Sequence, residues 1–145
     1  MENITIRDFT PNDYEGLSEV WQLTDLGNPK RGDNLEIIMQ SIKMGGKLLV
    51  AVNQANRVIG TSWMTFDGRR FHLHHVGVHP QYQGKGIGKR LTIESLKFVK
   101  EKGYQVKLEV HKNNTRAINL YKQFGFQYLG DYDVYIIRDP QSINT

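Results

Sequence analysis

The chain contains no cysteine. That removes disulfides, thiolate zinc sites and any cysteine nucleophile. It also lacks a run near the roughly 18 apolar residues that a membrane span needs, so no membrane partner is expected. Its opening, MENITIRDFT, has neither a basic head nor an apolar core of the secretory type, and its apolar–polar alternation predicts a strand. A cytoplasmic location is the default expectation. Internal repeats and low-complexity tracts are absent. A length of 145 residues fits one domain over 1–145, with 139–145 as a loose polar tail. Acidic residues fall short of basic ones, 15 against 19, which leaves a net charge of +4. A phosphorylated cofactor, a nucleic acid or a plain solvated basic surface would each fit that balance. No helix concentrates the bases with interleaved aromatics, so a nucleic-acid partner is not expected.

What is present reads as alternating elements. Ile4 and Ile6 open a strand. Thr10-Pro11-Asn12-Asp13 starts a helix carrying Leu17, Val20, Trp21 and Leu23 on its apolar face. Asp33 and Glu36 open a second helix, with Ile37, Ile38 and Ile42 inside and Gly45-Gly46 at its end. Leu48–Val52, Val58–Phe66 and Phe71–Val78 read as three strands joined by turns, the second turn carrying Asp67-Gly68. The period then changes. Ile87 to Val99 is helical, Val106 to Val110 a strand, Ala117 to Phe124 a helix, and Tyr128, Val134, Tyr135 and Ile137 a last β segment. The predicted fold class is α/β, a mixed antiparallel and parallel sheet flanked by helices, in the order β-α-α-β-β-β-α-β-α-β with room for a final hairpin. The strand–helix–strand unit from Phe71 to Val110 requires a parallel crossover. An exposed edge strand such as the last one could pair between subunits, which leaves a homodimer open.

Between the fourth strand and its helix lies Gln83-Gly84-Lys85-Gly86-Ile87-Gly88-Lys89-Arg90. Three glycines in five residues remove the Cβ atoms that keep a ligand off the backbone. The helix start adds unpaired N–H groups, an anion site suited to a pyrophosphate, although a glycine-rich turn without a ligand has the same composition. Two better-known phosphate motifs do not match. The P-loop needs Lys-Ser/Thr after its last glycine, and the dinucleotide fingerprint needs G-x-G-x-x-G after the first strand of its unit.

At this point the sequence resembles the GNAT superfamily of acetyl-CoA-dependent N-acetyltransferases. The family's Q/R-x-x-G-x-G/A after V-x-P reads here Val78-His79-Pro80-Gln81-Tyr82-Gln83-Gly84-Lys85-Gly86. Its second motif, N-x-x-A-x-x-L-Y-x-x-x-G-F, reads Asn114 to Phe126. The resemblance covers nearly the whole chain. It implies acetyl-CoA as co-substrate, between the fourth and fifth strands, which a bulge in the fourth splays apart. Backbone groups of Val76 and Val78 would pair with the pantetheine arm. Gln83, Gly84, Lys85, Gly86, Ile87, Gly88 and Lys89 would hold the pyrophosphate, and Asn114 and Tyr121 would lie near the pantetheine and sulfur.

Amide formation from a thioester needs a deprotonated amine, a stabilised carbonyl oxygen and a protonated leaving thiolate. Without cysteine, direct attack in a ternary complex is simpler than an acyl-enzyme. The resemblance assigns Tyr121 as general acid; a packing tyrosine is the alternative. The backbone N–H of Val76 is the expected oxyanion donor. The stretch Phe71 to His79 is rich in histidine, and in a regular strand His72 and His74 share one face, with His75 and His79 on the other unless a bulge intervenes. It also resembles the arylalkylamine N-acetyltransferases, which implies His72 and His74 as a proton relay. A His pair at i, i+2 can bind zinc, but no third ligand is evident, so no metal is expected. Acceptor recognition would fall between Trp21 and Gly45, where Asp25, Asp33 and Glu36 could attract an amine and Trp21 could stack on it. Helix capping by Asp33 and core packing by Trp21 are the alternatives. The predicted function is N-acetyl transfer to a primary amine; an acyl-CoA-binding sensor without turnover is the competing class.

Overall fold

Leu48-Leu49-Val50-Ala51-Val52 has no polar side to leave in water, so its strand must be covered on both faces. The computed structural model, which describes residues 2–144, shows the two covers. Two units divide the chain, Met1–Glu109 and Val110–Thr145. The first holds a five-stranded sheet of β1 Thr5–Asp8, β2 Lys47–Val52, β3 Val58–Phe66, β4 Arg70–Val78 and β5 Gln105–Leu108, in that spatial order. β1 to β4 pair antiparallel, and β4 with β5 parallel. Helices α1 Tyr14–Leu23 and α2 Leu35–Lys43 precede β2, and α3 Ile87–Lys102 is the crossover.

Alternate residues of β2 serve opposite layers. Leu48, Val50 and Val52 join Leu17, Val20, Trp21 and Ile38 of α1 and α2. Leu49 and Ala51 join Ile59 of β3 with Ile87 and Leu91 of α3. Leu17, Val20, Ile38 and Leu91 are completely buried, each contributing about 1.5–3 kcal/mol. The polar atoms inside these layers are matched. The Trp63 indole donates to Ser41 Oγ at 2.9 Å, and the Ser62 and Ser95 hydroxyls meet at 2.7 Å between β3 and α3.

The entry to α1 is fixed by Asp13. Its carboxylate accepts the Thr10 N–H at 2.9 Å and a two-pronged contact from Arg7 at 2.7 and 2.9 Å. Arg7 holds the Asp13 carboxyl below its usual range, aided by the Thr10 N–H and against the cost of burial. A lowered folded-state value means that this stabilisation is complete above the ordinary carboxylate range, about pH 4, and is lost as pH falls through the depressed value. Asp13→Asn is therefore expected to cost about 1–3 kcal/mol at pH 7 and to flatten the acid limb of a plot of Tm against pH.

Two local expectations are corrected. α2 is capped by Asn34, whose Oδ1 accepts the Ile37 N–H at 3.0 Å, and not by Asp33. Asp33 is turned inward instead, with Oδ2 on the Asn28 N–H at 2.6 Å. Trp21 is a core residue, 3% exposed, with its indole N–H on Thr61 Oγ1 at 2.9 Å, and has no open face to stack on a ligand.

The second unit is built around α4 Thr115–Gln123. Both ends of the second motif have a local cause. Asn114 Oδ1 accepts the Ala117 N–H at 3.2 Å and caps the start. At the far end Gly125 adopts φ +93°, so its N–H reaches Lys122 O and the Phe126 N–H reaches Tyr121 O. That is a Schellman ending, and its customary side-chain contact is present: the Phe126 and Tyr121 rings lie 5.6 Å apart, edge to face. No strand follows α4 among the described residues, contrary to the expected β segment. Tyr128, Val134, Tyr135 and Ile137 are 61–90% exposed. A strand exists only where its backbone finds a partner strand, and among the described residues the one backbone bond in this segment is a local turn from the Tyr132 N–H to Leu129 O.

Candidate active site

β5 ends at Leu108, opposite Leu73, while β4 continues to Val78. Among the described residues, the outer edge of β4 from His74 to Val78 therefore has no strand paired to it. The expected bulge lies here. Pairing with β3 steps from Trp63↔His74 to Thr61↔Gly77, so His75 and Val76 share one position opposite Ser62. His75 takes φ +47°, a left-handed value rare for a side chain of this size. Its carbonyl is pinned by the Thr61 hydroxyl at 2.8 Å, the same hydroxyl that accepts the Trp21 indole N–H. Past the bulge, the His79 N–H bonds Ile59 O at 2.8 Å. That makes the next pair, Gly60 and Val78, a non-hydrogen-bonded one, and turns the Val78 N–H and C=O away from β3. Gln83 Nε2 donates to that carbonyl at 2.9 Å.

The bulge also changes which histidines meet. His72 and His74 share a face as expected, their rings stacked with centroids 6.1 Å apart. His75 is carried round to join them, 6.1 Å from His74 and 5.5 Å from Trp63. His72 contacts Asp67 at 3.2 Å. The Asp67 carboxyl lies well below its usual range because it accepts the Arg70 and Arg69 N–H groups as well as the His72 contact. His74 Nε2 lies 2.9 Å from Thr65 Oγ1. His74 keeps solvent contact, yet crowding by protein, with His75 and His72 adding positive charge nearby, pushes it down to about 4 against an opposing pull from Asp33. It is thus neutral at physiological pH. His79, the remaining histidine of the stretch, is buried and caps the turn at Gln81, with its Nε2 3.2 Å from Arg57.

After the turn Pro80–Tyr82 the chain reaches the glycine segment. Gly84 and Gly86 take φ +79° and +81°, and nothing lies within 4 Å of where a Cβ would stand on either. Gly86 caps α3 without a side-chain acceptor, and the first intrahelical bond is Arg90 N–H to Gly86 O. The N–H groups of Ile87, Gly88 and Lys89 precede that bond. Lys85 and Lys89 are exposed beside them, Lys85 Nζ standing 5.2 Å above the Tyr82 ring. Arg90 is held elsewhere, on Ile4 O at 2.9 Å. The segment thus fits a pyrophosphate: an open, uncapped, positively charged helix start with room at both glycines. Asn114 and Tyr121 belong to the second unit. Asn114 is the α4 cap, and burial pushes the Tyr121 phenol up.

The bulged fourth strand, the parallel crossover and the glycine-led α3 define a fold class found in solved acetyltransferases. A GNAT-family acetyltransferase from Staphylococcus aureus Mu50 superposes with a TM-score of 0.76 at 22% identity, covering 90% of this chain and 89% of that one. A GNAT-family acetyltransferase from Elizabethkingia anophelis, solved with acetyl-CoA bound, gives 0.61 at 24% identity over 86% and 76% of the two chains. In sequence, a mycothiol acetyltransferase from Arthrobacter sp. (strain FB24) is 30% identical over 141 residues, spanning 86% of this chain and 43% of that protein, so the chain covers less than half of this curated relative. The profile of the Acetyltransferase (GNAT) family matches residues 10–126. The chain belongs to that family.

Proposed function

We propose that the protein transfers the acetyl group of acetyl-CoA to a primary amine, on a small molecule or a peptide, by direct attack in a ternary complex. The observation that carries this reading is the single stretch from His74 to Lys89. It runs from a bulged strand edge with no paired strand among the described residues into an open, uncapped helix start. The mycothiol acetyltransferase relative supports acetyl transfer, and the acetyl-CoA-bound structural relative supports the choice of co-substrate.

Bound acetyl-CoA supplies the thioester that the amine attacks. The N–H groups of Ile87, Gly88 and Lys89, with the charges of Lys85 and Lys89, hold the pyrophosphate. The Val78 backbone, already turned outward, receives the pantetheine arm, and the Val76 N–H at the bulge steadies the charge that grows on the carbonyl oxygen. Gln83 braces this edge through Val78 O. Tyr121 keeps its proton throughout the physiological range and donates it to the departing sulfur. Asn114 positions α4, and with it Tyr121. His72 and His74 pass the amine proton outward, a task that suits a neutral His74 because it accepts a proton without keeping it.

The test is a panel of amines and peptides assayed for free CoA. At least one acceptor is expected to release CoA well above background hydrolysis, with turnover in the ordinary enzymatic range of about 1–10³ s⁻¹. Tight acetyl-CoA binding with no turnover on any acceptor would make the protein a sensor.

A further inference from the structure

Asp33 and His75 are 42 positions apart, and no spacing rule connects them. In the fold Asp33 Oδ1 lies 2.8 Å from His75 Nε2. We propose that this pair is the base of the reaction: His75 Nδ1 takes the proton from the acceptor amine, and Asp33 is the positioning residue that fixes the ring. The proposal rests on the acetyl-transfer reading above and names the group that starts its proton path.

The tautomer follows from the contacts. Asp33 accepts a hydrogen bond at Oδ1, so the neutral ring carries its proton on Nε2 and its lone pair on Nδ1. No buried side-chain nitrogen or oxygen among the described residues lacks a partner. His75 Nδ1 has no hydrogen bond among the described residues and therefore keeps contact with solvent, the side from which an amine would approach. The ring cannot swing away. Trp21 meets it edge-on at 4.8 Å and Trp63 lies 5.5 Å off, both indoles being tied by their own N–H groups. Asp33 is anchored too, because its second oxygen holds the Asn28 N–H. Among the described residues, the titratable and charged groups facing His75 are Asp33 from the loop before α2 and His74 on β4. Trp21 of α1 and Trp63 of β3 add none.

Position argues for the same role. His75 carries the left-handed φ of the bulge, and the next N–H along the chain is that of Val76, the proposed oxyanion donor. One bulge therefore presents base and oxyanion donor on consecutive residues. A strained residue held by four separate contacts is what a preorganised site needs. The step balances simply. The ammonium gives one proton to His75 Nδ1 and the freed lone pair forms the N–C bond. The C–S bond breaks as Tyr121 protonates the sulfur, and the second amine proton, passed through solvent, restores the Tyr121 hydroxyl, leaving amide, CoA thiol and one proton that His75 releases through His74 and His72 to water.

The test has two arms on the full chain. The first is the ¹⁵N signal of the His75 ring in wild-type protein, without acetyl-CoA, at a pH where the ring is neutral. A protonated Nε2 and bare Nδ1 are expected, relaxing to a tautomer mixture in Asp33→Asn. A protonated Nδ1 in the wild type overturns the proposal. The second is turnover of His75→Asn, chosen because Asn tolerates left-handed φ. Two accepted amines are compared, an alkylamine that is ammonium at pH 7 and an arylamine that is neutral there. The expected loss in kcat is about 10²- to 10⁴-fold for the alkylamine and under about tenfold for the arylamine. Equal losses on both would make His75 a packing residue and overturn the proposal. Wild-type protein that turns over no amine overturns acetyl transfer itself, a result separable from unequal or equal losses in an active enzyme.

Discussion

Gly86→Asp should weaken acetyl-CoA binding strongly while leaving the fold standing. The position takes φ +81° with nothing within 4 Å of a new Cβ, so the side chain has room. The left-handed backbone costs about 1–2 kcal/mol for a non-glycine residue, though Asp and Asn bear it best. An acidic cap at the start of α3 returns about 1 kcal/mol by meeting its free N–H groups. The net change in stability is small. Those same N–H groups are the proposed pyrophosphate cradle, and a fixed negative charge within about 4 Å of a phosphate costs about 1–4 kcal/mol between the dielectric of water and that near a protein surface. Each 1.4 kcal/mol is tenfold, so Kd by calorimetric titration is expected to rise by about 5- to 700-fold. Gly86→Asn has the same shape without the charge and should keep most of the affinity. Ligand-induced gain in Tm should follow the same order, through mass action. If the Asp and Asn variants bind acetyl-CoA equally, the pyrophosphate does not sit here.

The features legible in the sequence were those written in neighbouring residues. The double burial of β2 follows from five apolar residues in a row, and the crossover follows from a strand, a glycine segment and a helix in succession. The second motif is a cap and a Schellman ending, both set by residues within the same turn or two. The readings that changed depend on distant partners. Asp33 and Asn34 are equally plausible caps by type, and only the approach of β4 decides that Asp33 serves His75. The bulge was expected, but the side to which it carries His75 follows from the register with β3, which no local pattern encodes. Conversely, Tyr128, Val134, Tyr135 and Ile137 are residue types that strands favour, and yet they pair with nothing among the described residues. Strand-favouring residues prepare a segment for a sheet; they do not provide the neighbour.

Tyr121→Phe should separate chemistry from everything else the residue does. Tyr121 is two positions before the end of α4, and its ring packs on Phe126 in the Schellman ending. Phenylalanine keeps that ring contact and the Tyr121 carbonyl that closes the helix, so the fold should stay within about 1 kcal/mol, the scale of one ordinary hydrogen bond. Acetyl-CoA affinity should be unchanged, since only a hydroxyl is lost. Turnover should not survive so well. A phenol near pKa 10, pushed higher by burial, stays protonated and can meet a thiolate whose conjugate acid is near 8.5. Losing that donor is expected to lower kcat by roughly 10- to 10⁴-fold. The leaving group supplies the sharper check. An acetyl thioester of a more acidic thiol expels a weaker base, which needs less protonation, so the variant should recover much of its rate on such a donor while wild type gains little. Variant and wild type responding in parallel to the thiol's pKa would make Tyr121 a packing residue and place the acid elsewhere. A loss that shrinks as the thiol becomes more acidic can come only from a group that acts on the sulfur.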